Sequence, residues 1–151
     1  ANQMMGLLNN YAQDPMGGGE PLGEKVLRDL PSALAALPHA FTIMIYVDEK
    51  PAALANCFEG FSTFACAPLI NIHDIIVLEE YRGLGLSQKL LAEVDRIATE
   101  KGCCKVTLEV LSNNEPAKQA YLKFGFAGYA LDPEMGNALF WEKPLESQLT
   151  D

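Results

Sequence analysis

The run Val77-Leu78-Glu79-Glu80-Tyr81-Arg82-Gly83-Leu84-Gly85-Leu86-Ser87 constrains this chain more than any other stretch. The apolar residues from Ile70 to Leu78 read as a strand that enters a tight turn with two glycines, then an amphipathic helix. Glycines at 83 and 85 leave out side chains where the backbone comes close to something, and they accept the dihedrals of a tight turn. The following helix points its unpaired N–H groups and positive dipole end back at that turn. Strand, glycine-rich turn and helix start together make an anion cradle suited above all to phosphate.

With 151 residues, 49% of them apolar, the chain is expected to form one domain (1–151) with a proper core. No window reaches the 18 or so consecutive apolar residues of a membrane span, and no N-terminal basic-then-apolar pattern marks a signal peptide. The formal net charge of −9 comes without any Lys/Arg cluster, which argues against nucleic-acid binding. An acidic balance mildly favours cationic small molecules as partners, although it also serves solubility. Cys57, Cys66, Cys103 and Cys104 form no Cys-x-x-Cys, and His39 and His73 complete no zinc set, so no metal is expected. Reduced, structural thiols in a cytoplasmic protein are the reading of that spacing.

Periodicity sets the organisation. Met4 to Tyr11 reads as a helix, followed by a turn-rich segment from Asp14 to Pro21. A second helical stretch, Val26 to Leu37, is expected to break at Pro31. Strands are expected at Phe41–Val47, Ala53–Phe58, Leu69–Leu78 and Cys103–Leu111. Between the last two, Leu86, Leu90, Leu91, Val94, Ile97 and Ala98 share one helical face, and Gly102 ends that helix. A short helix opens at Asn114, and Phe126–Leu131 with Asn137–Trp141 read as a terminal hairpin. The order is mixed α/β (α+β), with a mostly antiparallel central sheet flanked by helices.

The Asn114 helix carries a second motif: Asn114, Ala117, Tyr121, Gly125 and Phe126 stand in the frame Asn-x-x-Ala-x-x-x-Tyr-x-x-x-Gly-Phe. With Arg82, Gly85 and Ser87 in the frame Gln/Arg-x-x-Gly-x-Gly/Ala, serine replacing the last small residue, the chain resembles the GNAT N-acetyltransferase superfamily. The resemblance covers roughly residues 40 to 145, with core motifs at 69–126. It implies the GNAT fold, splayed at an acetyl-CoA site, and a homodimer for which the terminal hairpin with Phe140 and Trp141 offers an interface. The superfamily begins with a strand before the first helix. Here that strand is missing or lies upstream of Ala1.

Residue roles follow from the same resemblance. Arg82, Gly83, Leu84, Gly85, Leu86, Ser87 and Gln88 form the pyrophosphate loop, with Arg82 adding a charged contact or anchoring the turn. Ile75, Ile76 and Val77 offer main-chain groups to the pantetheine arm, and Asn114, Pro116 and Ala117 complete the cofactor contacts. Tyr121 would donate a proton or hydrogen bond to the departing thiolate, because a phenol with pKa about 10 stays protonated at neutral pH. On periodicity alone the same residue is a core tyrosine.

His73 or Asp74 would serve as base for the acceptor amine, or Asp74 would bind its ammonium. Strand alternation sends the two side chains to opposite faces, so one of them alone would reach the cleft. Within the superfamily the likeness is greatest to diamine and thialysine (spermidine/spermine-type) acetyltransferases. Phe61-Ser62-Thr63-Phe64, Asp74 and Tyr81-Arg82-Gly83 carry it, while His73 replaces their Glu. Glu59, Phe61 and Phe64, with Phe58, would then wall a cationic substrate site. Glu20 and Asp14 beside Gly17-Gly18-Gly19 are candidates for further charge contacts. The expected activity is acetyl transfer from acetyl-CoA to a primary amine of a small molecule by direct attack in a ternary complex. Acetylation of a protein or peptide amine, and a non-catalytic acyl-CoA-binding module, are the alternatives.

Overall fold

The computed structural model describes residues 2–14, 17–128, 134, 136 and 138–146. Two helices come first, α1 (Asn2–Gln13) and α2 (Glu24–Ala35), then three strands, β1 (Ala40–Val47), β2 (Lys50–Ser62) and β3 (Ala67–Val77). After a single 3₁₀ turn at Glu79–Tyr81 come α3 (Leu86–Glu100), β4 (Val106–Leu108) and α4 (Glu115–Phe124). The strands form one sheet in the order β1-β2-β3-β4, antiparallel except for the β3–β4 pair.

Alternation along β2 divides the core between the two faces of the sheet. Ala53, Ala55 and Cys57 point to one side, where Ile70 and Ile72 of β3 meet Leu86, Leu90, Leu91, Val94 and Ala98 of α3 and Tyr121 of α4. Leu54 points to the other side and joins Ile76 of β3 with Met4, Met5, Leu7 and Leu8 of α1, while Leu30 and Leu34 of α2 pack on that cluster. The i, i+3, i+4 spacing on α1 and α3 is what lets each helix lay one apolar stripe on the sheet.

Several boundaries differ from the sequence reading. Helix α2 continues through Pro31, which leaves one rung of its ladder without a donor. The strand predicted over Cys103–Leu111 shrinks to Val106–Leu108. Its earlier part, Cys104 and Lys105, still bonds to β3 backbone (Cys104 N to Pro68 O, 2.9 Å; Ile70 N to Lys105 O, 3.2 Å). Its later part leaves β3 altogether, as a splayed sheet requires. Among the described residues of the predicted terminal hairpin, 126–128 and 138–141, no strand forms, and Phe140 and Trp141 are exposed. The remainder of that hairpin lies outside the described residues. No helix among the described residues is long and apolar enough to cross a membrane.

Candidate active site

The parallel ladder between β3 and β4 stops at Ile72 and Leu108. Beyond it the strands diverge, and a cavity of about 920 Å³ opens between them. Residues 72–77 of β3 line one wall, residues 108–111 the opposite wall. The floor is the turn Tyr81–Ser87, with Gly83 and Gly85 both at positive φ (82° and 75°) and Arg82 Nε donating to Val77 O at 3.3 Å. Arg82 thus anchors the turn it belongs to. Helix α3 has Gly85 as its N-cap and no side-chain cap, so its first amides face the turn unpaired by any side chain. A Cβ built on Gly83 or Gly85 would meet nothing within 4 Å. The loop is therefore an open concavity of backbone amides.

Helix α4 closes the cavity from the other side. Asn114 caps it, its Oδ1 accepting from Ala117 N at 3.3 Å, and Asn114, Pro116, Ala117 and Tyr121 all line the space. Tyr121 is 8% exposed and packs edge-on to Phe126, at 6.1 Å between ring centroids. Burial, with Tyr11 nearby, pushes its phenol up to about 12. Core packing and a place at the cavity, posed as rivals by the sequence, are both true of it. Gln88, expected at the phosphate loop, instead donates to Ala120 O at 2.9 Å and ties α3 to α4. Leu84 is exposed and lies outside the cavity lining.

A β-bulge overturns the expected division of His73 and Asp74. Asn56 pairs with Asp74 and the next residue, Cys57, with Ile72, so His73 is the extra residue on β3. The bulge cancels the alternation there, and the two side chains come together. His73 Nδ1 stands 3.4 Å from Asp74 Oδ1, and both residues line the cavity. The His73 ring also meets Phe58 edge-on at 5.5 Å and 76°.

The predicted substrate wall is elsewhere. Phe61 and Phe64 sit at the β2–β3 hairpin, Phe64 fully exposed, and Glu59 pairs with Lys101 at 3.6 Å. The hairpin lies at the opposite end of β3 from the cavity, because β3 is eleven residues long and the cavity takes its last six. Glu20 is exposed and does not line the cavity, whereas Asp14 does.

Sequence reasoning missed Tyr11, Tyr81, Glu109 and Phe140, all of which line the cavity. Tyr11 had a usable signal: it stands three and four residues after Leu8 and Leu7 and so continues the buried stripe of α1. Burial first, then Asp74 and Asp14, raises its phenol pKa above the ordinary value. Among the described residues no group of three or more His, Cys, Asp or Glu is placed to hold a metal ion.

The chain is similar to known proteins in sequence and in fold. A thialysine N-epsilon-acetyltransferase of Bos taurus is 39% identical over 56 residues, 37% of this chain and 33% of that protein. A streptothricin acetyltransferase of Streptomyces lavendulae is 36% identical over 75 residues, 50% of this chain and 40% of that protein. The chain thus spans well under half the length of these curated relatives. Among solved structures, a GNAT family acetyltransferase of Staphylococcus aureus superposes with a TM-score of 0.69 at 17% identity, covering 95% of this chain and 88% of that one. The family model for the acetyltransferase (GNAT) family matches residues 7–126, which take in the whole sheet and both motif-bearing helices, and the chain belongs to that family.

Proposed function

We propose that this protein is an acetyl-CoA-dependent N-acetyltransferase that acts on a primary amine of a small molecule. One observation carries the reading: β3 and β4 part at Ile72 and Leu108 directly above a turn of uncapped backbone amides. The free edge of β3 from His73 to Val77 suits an extended pantetheine arm, which would add to the sheet like a strand. The amides at Gly83–Ser87 suit a pyrophosphate, with Gly83 and Gly85 leaving room for its approach. Asn114, Pro116 and Ala117 would close over the arm from α4. Acetyl-CoA supplies an activated acetyl group as its thioester.

The chain's own residues then have distinct tasks. His73 or Asp74 receives the proton that the amine must lose before it can attack. An N–H of the β3 free edge holds the developing charge on the acetyl oxygen. Tyr121 keeps its proton throughout the physiological range, because burial has pushed it up to about 12. It can therefore donate a hydrogen bond to the sulfur as negative charge gathers there. Asp14, Asp74 and Glu109 bring carboxylates to the cavity, which favours an amine carrying positive charge.

Release of free CoA thiol from acetyl-CoA, measured with polyamines, thialysine, amino acids and short peptides, tests this reading. Amine-stimulated release that collapses in Tyr121→Phe is the expected result. Binding of acetyl-CoA with no amine-stimulated release would instead support a non-catalytic acyl-CoA-binding module.

A further inference from the structure

We propose that Thr42 and Asn56, neither of which lines the cavity, are positioning residues that fix the tautomer of His73 and make Nε2 its basic atom. The purpose of that arrangement rests on the acetyl-transfer reading above, but its geometry does not. Apart from the Tyr121 hydroxyl and the Cys57 thiol, Asn56 is the one buried polar side chain among the described residues, only 3% exposed, on a strand flanked by β1 and β3. Register places Thr42 opposite it on one side and Asp74 on the other. The three side chains form a row across the sheet.

The row has a direction. Thr42 Oγ1 donates to Asn56 Oδ1 at 2.6 Å, its other neighbour being the weakly accepting Met4 Sδ at 3.8 Å. Asn56 Nδ2 then donates to Asp74 Oδ2 at 3.1 Å. The opposite amide orientation would set the Asn56 carbonyl against a carboxylate that can only accept, so it is disfavoured. With Oδ2 engaged, Asp74 turns Oδ1 to His73 Nδ1 at 3.4 Å. An ionised carboxylate accepts there, so Nδ1 carries the proton and the lone pair is left on Nε2. The bulge makes the contact possible, and Phe58 holds the imidazole from its edge. In the reaction, Nε2 takes the amine's proton, and the resulting imidazolium keeps Nδ1–H on Asp74.

Long-range ¹H–¹⁵N spectra of the full chain labelled in histidine test this directly, since His39 and His73 are the two imidazoles. Spectra are recorded at rising pH until the ring ¹⁵N signals stop moving, where the neutral tautomer is read. Wild type is expected to show His73 as Nδ1–H. Thr42→Val, close in shape but without the hydroxyl, should lose that single-tautomer pattern, and Thr42→Ser should restore it. Unchanged His39 signals show that the variants are folded. An Nε2–H tautomer in wild type, or a Thr42→Val pattern identical to wild type, overturns the proposal. The spectra need neither acetyl-CoA nor amine, so a failure of the activity reading and a failure of this one are separate results.

Discussion

Replacing Gly85 by alanine separates the turn's role in folding from its role in binding. Gly85 sits at φ 75°, where an L-residue costs roughly 1–2 kcal/mol. A built Cβ meets nothing within 4 Å, so no steric penalty is added to that strain. For a chain of this size the melting temperature should drop by roughly 2–8 °C. Gly102, just past the other end of the same helix, provides the control. Its φ is 73°, its Cβ would also meet nothing within 4 Å, and it lies outside the cavity. Gly102→Ala should therefore lower the melting temperature by a similar amount. The two variants should part in binding. A methyl on Gly85 would enter the space assigned to the pyrophosphate and weaken charge-assisted bonds from neighbouring amides, each worth roughly 1.5–3 kcal/mol. Losing about 2 kcal/mol raises Kd by roughly thirtyfold. Titration calorimetry with acetyl-CoA on both variants reads the difference. Equal affinity in Gly85→Ala and Gly102→Ala, with matched losses of stability, would refute the cradle.

Tyr121→Phe keeps the ring against Phe126 and removes the donor; kcat should fall roughly a hundredfold while the KM for acetyl-CoA stays put. In steady-state assays, an unchanged kcat would return Tyr121 to a purely structural role. Cys57 and Tyr121 are both buried with pKa values pushed up to about 12, so folding favours their protonated forms. Their contribution is whole below the ordinary thiol and phenol values and is lost as pH rises towards about 12. By pH 11 the two together should cost roughly 4 kcal/mol at about 1.4 kcal/mol per unit. Urea titrations at rising pH should show Cys57→Ala losing its stability less steeply than wild type; parallel curves would sink the argument. Leu54→Ala, in the cluster that seats α1, should cost roughly 2–5 kcal/mol in the same titration. A loss under about 1 kcal/mol would mean that α1 is not held there.

Helices α1 and α3 were legible because each shows one period throughout, and the long strands because they are apolar-rich runs bounded by turns. Leu86 to Ala98 repeat at helical spacing, and the glycine turn before them is local chemistry that needs no partner. Asn114 was legible as a local cap, whereas Tyr121's place at the site came from the resemblance, since periodicity alone made it a core tyrosine. What escaped was set by distant parts of the chain. The bulge at His73 comes from how β3 pairs with β2, and a strict two-residue alternation cannot foresee one extra residue. Tyr11 reaches the cavity only because α1 packs on Leu54 and Ile76. The aromatic pair Phe61 and Phe64 looked like a substrate wall through the likeness to diamine acetyltransferases, but hairpin length carried it away from the cavity. Where β4 would leave β3 was equally invisible, because Lys105 to Val110 keeps one polar–apolar alternation straight past Leu108 and the parting depends on what lies across the gap.

Mass spectrometry of a candidate diamine after incubation with the protein and acetyl-CoA tests acetyl transfer most directly. The account predicts that the amine gains one acetyl group at a primary nitrogen, in step with CoA release. Acetyl-CoA that binds yet leaves every offered small amine unmodified, while a peptide amine is acetylated, would contradict it.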